Sequence, residues 1–211
     1  FPDDPGEALA VLRVEKRVAP DVSGRPRRGN ADADVVVVEW SDFQCPYCTR
    51  AQGTLEKLLA ERDDVALVYK HMPLSFHPAA YPAALAVEAA GVQGKFWEMH
   101  DALFALGKGI ADFVDKKGTI ATEGEVPFEE LAKDLGLDLE QYRRDLRSDA
   151  VAAIVQADRE EAQRLGVNGT PTFFVGDRRV RERLDARTLS ALVDKARGER
   201  EFRFSWDLAE E

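Results

Sequence analysis

The sequence predicts an α/β fold in which a helical block is inserted between two parts of one sheet. Residues 35–71 fit a strand, a helix and a second strand, and residues 172–197 fit two short strands and a helix. Apolar residues at helical spacing dominate the segment between these two parts. Because a long connection without structure is rare in a compact domain, a folded helical insertion accounts best for the middle of the chain.

The composition is that of an ordinary globular protein, with 211 residues of which 45% are hydrophobic and 32% charged. No apolar run approaches the ~18 residues that a membrane-spanning helix needs. Acidic residues outnumber basic residues 39 to 29, which gives a formal net charge of -10. Because phosphate binding needs clustered cations, this balance argues against nucleic acid as a partner.

The first part of the sheet begins with a run of β-branched residues over 35–40, which predicts a buried strand. Pro46 occupies a position typical of the first residue of a helix, and an apolar stripe predicts a helix over Pro46–Glu61. Val65–His71 is predicted to be the second strand. A strand, a helix and a strand in so short a stretch favour a right-handed parallel crossover.

Helices are predicted over residues 82–90, 95–106, 127–135, 139–146 and 149–165. Strand character returns at Thr172–Val175, and the turn residues Gly176 and Asp177 allow residues 179–181 to return antiparallel. A last helix is predicted over 186–197, ending at Gly198, and the alternating aromatic residues after it suggest an extra strand or a docked arm.

These predictions divide the chain into four parts. They are an N-terminal arm and linker (1–34), a sheet domain (35–78 and 166–198), an inserted helical domain (79–165) and a C-terminal tail (199–211).

The chain has two cysteines, Cys45 and Cys48, which are separated by Pro46 and Tyr47 at the predicted start of a helix. A helix N-terminus offers unpaired N–H groups and partial positive charge, so a Cys45 thiolate is stabilised there and its pKa should fall. Cys48, about one turn further on, is then the resolving thiol. The placement favours redox exchange.

Three other interpretations of the cysteine pair compete with redox exchange. A structural disulfide with so short a spacer constrains the unfolded chain very little. A zinc site needs about four ligands, and the histidines His71, His77 and His100 do not stand at zinc-finger spacing from the two thiols. A copper-handling module without catalytic activity remains an alternative.

A second motif, Gly169-Thr170-Pro171-Thr172, precedes the predicted strand at residue 172. A proline that enters a strand must lie where no backbone N–H is needed for pairing. Either a cis Thr170–Pro171 peptide bond with a functional role or an ordinary trans turn fits this position.

Four stretches of the chain together resemble the DsbA-like thiol–disulfide oxidoreductases of the thioredoxin superfamily. They are VVVVEWSDFQCPYC (35–48), HMPLSFHPAA (71–80), QGKFWEMHDALF (93–104) and GVNGTPTFFVGDRRV (166–180). The resemblance implies a thioredoxin fold with an inserted helical domain.

The resemblance also implies roles for five residues. Cys45 would be the nucleophile, Cys48 its partner, and Pro171, preceded by Thr170, a cis-proline against the disulfide. Glu39, six residues before Cys45, would be the buried acid that accepts or relays the Cys48 proton. The alternative for Glu39 is an edge position that faces solvent.

Exchange with protein thiols or disulfides through a mixed disulfide is the implied activity, with a redox partner protein to recycle the pair and no metal or organic cofactor. The implied location is extracytoplasmic, in a bacterial periplasm or anchored to a membrane facing it. Strongly oxidising members of the family have histidine where this chain has Tyr47, so isomerase or reductase activity on the same fold, including a glutaredoxin-like reductase, remains an alternative.

Other polar and aromatic residues near these motifs are expected to be structural. Asp42 is expected to cap or turn the chain, and His77 to be structural or exposed. Phe96, Trp97, His100 and Phe104 have helical spacing and are expected to pack in the core.

Overall fold

A mixed β-sheet organises the computed structural model, which describes residues 18–107, 110, 128–181 and 184–207. Its strands are β1 (Arg27–Gly29), β2 (Val35–Ser41), β3 (Val65–His71), β4 (Thr172–Val175) and β5 (Arg178–Arg179), in the order β1-β3-β2-β4-β5. β2 and β3 are parallel, and the other neighbouring strands are antiparallel. Helix α1 (Pro46–Glu61) connects β2 to β3, as the sequence predicts for a parallel crossover.

Between β3 and β4 the described residues form helices rather than a loop. They are α2 (Ala80–Val92), α3 (Phe96–Leu106), α4 (Glu129–Asp134), α5 (Leu139–Leu146) and α6 (Asp149–Arg164). The predicted fold class, an α/β sheet with an inserted helical block, is confirmed. The predicted arm before residue 18, the helix start at Pro127 and the last four residues lie outside the described residues.

β1 lies in the segment that was expected to be a linker, and that expectation is wrong for its three residues. The strand pairs antiparallel with β3, with Arg28 opposite Leu67. At Gly29 a Cβ atom would lie 2.6 Å from the Val65 carbonyl oxygen, so only glycine allows this close approach to β3. A strand this short and polar shows no alternation of apolar and polar residues in the sequence. Its position is set by pairing with the otherwise open edge of β3.

The last helix, α7, covers Ala186–Asp207 and does not end at Gly198. The extra strand expected after residue 198 is therefore wrong over residues 199–207, which are helical. A glycine inside a helix costs only about 1 kcal/mol relative to alanine, which is too little to end a helix whose neighbouring residues favour it.

Apolar side chains fill both faces of the sheet. On one face, Val37, Leu67 and Phe173 pack against Leu55 of α1 and Leu189 of α7. On the other face, a cluster formed by Val38, Trp40, Val68, Ala162, Val167 and Phe174 lies beneath α6. A third cluster joins the inserted helices to Phe43, Cys45, Cys48 and Tyr69. The cysteines therefore lie where the sheet meets the helical block.

Candidate active site

The cysteine pair lies at the junction of β2 and α1. After β2 ends, the Cys45 N–H donates to the Asp42 carbonyl oxygen at 3.0 Å, which closes a turn. Cys45 is the N-cap residue of α1, in an extended conformation and with no side-chain cap hydrogen bond. Pro46 follows as the first helical residue. The first N–H groups of the helix are thus open to the Cys45 sulfur.

Cys45 is 3% exposed, and its pKa is lowered to about 5. The largest cause is a hydrogen bond with the Cys48 side chain. Burial opposes the shift, while the N–H groups of Cys48 and Tyr47 and the side chain of Thr170 favour it. The helix terminus therefore contributes as the sequence suggested, but the second thiol stabilises the Cys45 thiolate more.

Cys48 is fully enclosed, at 0% exposed, and its pKa is raised far above the ordinary value of a thiol. Burial is the main cause, the hydrogen bond with Cys45 adds to it, and the negative charge of Glu39 raises the pKa further. In the dithiol state Cys45 is therefore the thiol that ionises, while Cys48 keeps its proton.

Glu39 is also 0% exposed, so the alternative that it faces solvent is wrong. Burial raises the pKa of Glu39 to about 7. The Ser41 hydroxyl donates to Glu39 Oε1 at 2.8 Å, and the Gln52 amide donates to both carboxylate oxygens at 3.3 Å. These two hydrogen bonds lower the pKa and so offset part of the effect of burial.

The Gly169–Thr172 loop forms the opposite side of the site. The Cys45 thiol donates to the Thr170 carbonyl oxygen at 3.6 Å. The Thr170–Pro171 peptide bond is cis. The Thr172 hydroxyl donates to the Gly169 carbonyl oxygen at 2.7 Å, which holds the loop as it enters β4. The structure therefore brings the Thr170 carbonyl oxygen against the Cys45 thiol.

Asp42 has its expected turn role, because its Oδ1 accepts from the Gln44 N–H at 2.8 Å, and its other oxygen contacts the loop after β3. Asp42 Oδ2 accepts from the Leu74 N–H at 2.9 Å and contacts His77 Nδ1 at 2.8 Å. Gln44 Oε1 accepts from the Ala79 N–H at 2.7 Å. His77 therefore has a structural role. These hydrogen bonds hold the segment after β3 against the residues just before Cys45.

The aromatic residues predicted for the core lie behind the cysteines. Phe96, His100 and Phe104 are buried, and Trp97 packs against them with partial exposure. Tyr69 of β3 stacks on Phe43 with ring centroids 5.1 Å apart. This apolar packing explains why groups at the site are so strongly desolvated.

The outer rim of the site carries exposed aromatic surface. Tyr47 is 64% exposed, with the Arg50 guanidinium 4.5 Å from its ring centroid, and Phe76 is 72% exposed. Across the described part of the chain, no group of three or more His, Cys, Asp or Glu side chains is arranged to hold a metal ion.

Sequence reasoning missed Ser41 and Gln52 as neighbours of Glu39. Ser41 stands two residues after Glu39, so strand alternation places both on one face of β2. Gln52 stands four residues after Cys48, one turn further along α1. Both spacings were visible in the sequence once Glu39 was placed in a strand facing α1.

Comparison with known proteins matches the chain to the thioredoxin family, whose sequence model covers residues 21–195. The thioredoxin-like oxidoreductase from Silicibacter pomeroyi DSS-3 is 34% identical, with a TM-score of 0.68 over 82% of this chain and 92% of that one. Pseudomonas aeruginosa DsbA2 is 27% identical, with a TM-score of 0.62 over 80% of this chain and 91% of that one.

The curated relatives are longer proteins that are named as Na(+)/H(+) antiporters. The Na(+)/H(+) antiporter NhaA 1 from Salinispora arenicola is 39% identical over 173 residues, which are 80% of this chain and 24% of the antiporter. The chain thus spans about a quarter of the length of this relative. No helix among the described residues is long and apolar enough to cross a membrane.

Proposed function

The chain belongs to the thioredoxin family, among its DsbA-like thiol–disulfide oxidoreductases, and from this premise we propose that it exchanges disulfides with protein substrates through Cys45 and Cys48. The observation that carries the proposal is the placement of the two thiols, with Cys45 at the N-cap of α1 beside the Thr170 carbonyl oxygen and Cys48 fully enclosed. Cys45, with its pKa near 5, is largely thiolate at neutral pH, while Cys48 stays protonated beside it. This asymmetry suits attack by one sulfur and delayed resolution by the other.

In the reducing direction, the Cys45 thiolate attacks one sulfur of a substrate disulfide. The substrate S–S bond breaks, a Cys45–substrate disulfide forms, and one substrate thiolate leaves. Cys48 then loses its proton and attacks the Cys45 sulfur, which releases the second substrate thiolate and leaves a Cys45–Cys48 disulfide. The substrate has gained two electrons and the pair has lost two, and the same steps in reverse oxidise a substrate dithiol.

Glu39 is proposed to accept the Cys48 proton in the resolving step. A carboxyl group with a pKa of about 7 can both take and return a proton near neutral pH. Thr170 and Pro171 are proposed to face the substrate sulfur across from Cys45, since the Thr170 carbonyl oxygen already contacts the Cys45 thiol.

Stabilising the Cys45 thiolate favours the reduced pair, so net oxidation of substrate dithiols is the proposed direction. A redox partner protein must then reoxidise Cys45 and Cys48 after each turnover. Because protein disulfides persist in oxidising compartments, an extracytoplasmic location is proposed as well.

Substrate trapping tests the exchange mechanism. Cys48→Ala should accumulate mixed disulfides between Cys45 and substrate proteins, because the resolving thiol is absent, whereas Cys45→Ala should trap none and show no exchange. Alkylation of Cys45 in Cys48→Ala should follow thiolate formation, with a pKa above about 5 because the largest stabilising hydrogen bond has been removed. Exchange by Cys45→Ala at the rate of the unaltered protein would overturn the proposal, as would stoichiometric copper binding without exchange.

The melting temperatures of the two redox forms test the direction. If the folded state stabilises the Cys45 thiolate, the reduced protein should melt above the oxidised protein at neutral pH. Calorimetry of the dithiol and disulfide forms measures this difference directly. An oxidised form that melts clearly higher would indicate a reductase instead.

A further inference from the structure

A cation lies beside the cysteine pair on the exposed side of α1. Arg50 is exposed, and its guanidinium carbon lies 4.5 Å from the centroid of the Tyr47 ring. We propose that Arg50, held over Tyr47, selects substrate proteins that carry an aspartate or glutamate within about two or three residues of the reacting cysteine. This inference rests on the proposed function and names the class of substrate segment that the site takes.

Helical spacing brings the two side chains together. Tyr47 and Arg50 are three residues apart in α1, so they are neighbours on one face of the helix. Both are exposed, whereas Cys48, which stands between them in the sequence, is fully buried. The Tyr47–Arg50 pair therefore faces the solvent from which a substrate approaches Cys45.

The Tyr47–Arg50 pair is close enough to Cys45 to contact residues that flank a substrate cysteine. Arg50 stands five residues after Cys45, which corresponds to a rise of about 7.5 Å along the helix axis. An extended substrate chain advances about 3.3 Å for each residue. A chain that reacts at Cys45 and runs over Tyr47 thus brings a side chain about two or three residues from its cysteine level with Arg50.

The charge of Arg50 is available to a substrate. Within the described ranges no carboxylate forms an ion pair with Arg50, whose contact there is with a neutral ring. Glu39 and Asp42, the carboxylates nearest in sequence to the cysteines, are both buried. The first turn of α1 has no acidic residue. An incoming carboxylate therefore meets a cation that no neighbouring acid neutralises.

The contact with Tyr47 prepares Arg50 to bind a carboxylate. The ring occupies one face of the guanidinium and leaves the N–H groups at its edge free to donate. It also restricts the side chain, so less conformational entropy is lost when the N–H groups bind. A carboxylate accepts two parallel hydrogen bonds from such an edge, a geometry that an ammonium group does not offer.

The overall charge of the protein makes this selection local. With a formal net charge of -10, the protein as a whole repels acidic segments. Arg50 offsets that repulsion at one point beside Cys45. The Tyr47–Arg50 pair should therefore respond to where a carboxylate lies relative to the substrate cysteine, and not to the total charge of the substrate.

The experiment follows oxidation of dithiol peptides by the oxidised protein in a single turnover. A peptide thiolate attacks Cys45, the Cys45–Cys48 bond breaks and a mixed disulfide forms. The second peptide thiolate then attacks the peptide sulfur of that disulfide, so the peptide loses two electrons and the cysteine pair gains them. The peptides carry glutamate near the reacting cysteine, glutamine at the same position, or the glutamate moved far from both cysteines. Acid quenching and separation of the peptide forms give the rates.

The readout is the ratio of the rate with the near glutamate to the rate with glutamine. A change in the reactivity of Cys45 cancels in this ratio, and the intrinsic reactivity of each peptide is the same for every variant. Arg50→Gln should lower the ratio about two- to fivefold, which is the effect of one exposed ion pair. Arg50→Glu should lower it further, and high salt should reduce the difference between the unaltered protein and Arg50→Gln.

Two further variants test the ring and the position of the charge. Tyr47→Leu should lower the ratio when Arg50 is present and have little effect in an Arg50→Gln background, because the ring acts through the guanidinium. Lys57→Gln is the matched control, since it removes the same charge from an exposed position about two turns further along α1. It should leave the ratio unchanged.

The outcomes separate this inference from the proposed function. If the unaltered protein oxidises none of the peptides, the proposed function itself is contradicted. Oxidation with equal ratios in the unaltered protein, Arg50→Gln and Arg50→Glu would contradict selection by Arg50 alone. An equal fall in the ratio for Lys57→Gln, or for the peptide with the distant glutamate, would show that total charge acts instead of the Tyr47–Arg50 pair, and would also overturn the inference.

Discussion

Two buried groups of ionisable side chains in this structure behave in opposite ways. One is the site around Glu39, Cys45 and Cys48. The other, here termed the ionic cluster, connects the segment before β1 to β3, α2 and α6. Its members are Arg25, Lys70, His71, Glu88, Asp158 and Glu161.

In the ionic cluster each carboxylate has a cation or a histidine beside it. Arg25 lies 2.8 Å from Glu88 and 2.9 Å from Asp158, and Lys70 contacts both Asp158 and Glu161. Burial alone would raise the pKa of Glu88, but a hydrogen bond with His71 and the charges of His71 and Arg25 outweigh it, so the pKa is lowered.

At Glu39 the partners are a neutral hydroxyl and a neutral amide, and the pKa is raised to about 7. Burial is comparable in the two places, since Glu39 is 0% exposed and Glu88 is 5% exposed. The presence of a cation, rather than burial, therefore decides whether a buried carboxylate holds a structure together or exchanges protons near neutral pH.

Removing a cation from the ionic cluster should give the largest stability change. Lys70→Met leaves Asp158 and Glu161 with less compensating charge, and removal of one partner from a buried pair typically costs about 3–5 kcal/mol of unfolding free energy. Urea denaturation at neutral pH measures the loss. Lys57→Met is the control, because Lys57 is largely exposed at 3.8 Å from Glu61, and such pairs contribute about 0–1 kcal/mol. Equal losses in the two variants would contradict the distinction.

Glu39→Gln should have the opposite effect and stabilise the protein above neutral pH. The folded state raises the pKa of Glu39 from 4.5 to about 7, so it binds the proton more tightly than the unfolded state does. Stability of the unaltered protein therefore declines as pH rises between these values, by about 3 kcal/mol at about 1.4 kcal/mol for each pKa unit.

Unfolding free energies of the unaltered protein and Glu39→Gln from pH 4 to pH 9 test this expectation. The two curves should separate as pH rises and stay parallel above the folded-state pKa. Glu98→Gln serves as a control, since Glu98 pairs with Lys95 at the surface and its pKa is lowered. A Glu39→Gln protein that is no more stable than the unaltered protein at alkaline pH would indicate that Glu39 ionises without cost.

The difference between the site around Glu39 and the ionic cluster also shows which features could be predicted from the sequence. The run of β-branched residues before Cys45 and the proline after it predicted β2 and α1, because local propensity and helix-start chemistry agree there. Cys45 and Cys48 followed from a short local motif, whereas Glu39 and Thr170 followed from the resemblance to the DsbA-like family. The structure places each of them at one site.

The ionic cluster could not be predicted in the same way. Arg25 and Asp158 are 133 positions apart in sequence, and no local pattern tells that an arginine in a polar segment reaches a buried carboxylate on α6. The same holds for β1, whose three residues gain their conformation from pairing with β3. Contacts set by tertiary packing leave no periodic signal in the chain.

Placing a cation beside Glu39 would make the site around Glu39 resemble the ionic cluster. The expected change in stability is smaller than for Lys70→Met or Glu39→Gln. Gln52 already donates to both Glu39 oxygens at 3.3 Å, so Gln52→Lys should bring an ammonium group close to the carboxylate. Because Gln52 is partly exposed, solvent screens the pair, and we expect the pKa of Glu39 to fall by about 1 unit, at the low end of the effect of a nearby opposite charge.

Two consequences of Gln52→Lys follow from that shift. The stability gained on adding Glu39→Gln should shrink by about 1.4 kcal/mol above neutral pH. The release of a mixed disulfide by Cys48 should slow at neutral pH, since a carboxylate with a lower pKa is a weaker proton acceptor. Gln52→Met is the matched control, with similar reach and no charge. If Gln52→Lys and Gln52→Met give the same pH dependence, a cation at this position does not set the pKa of Glu39, and the contrast between the two buried groups requires a different cause.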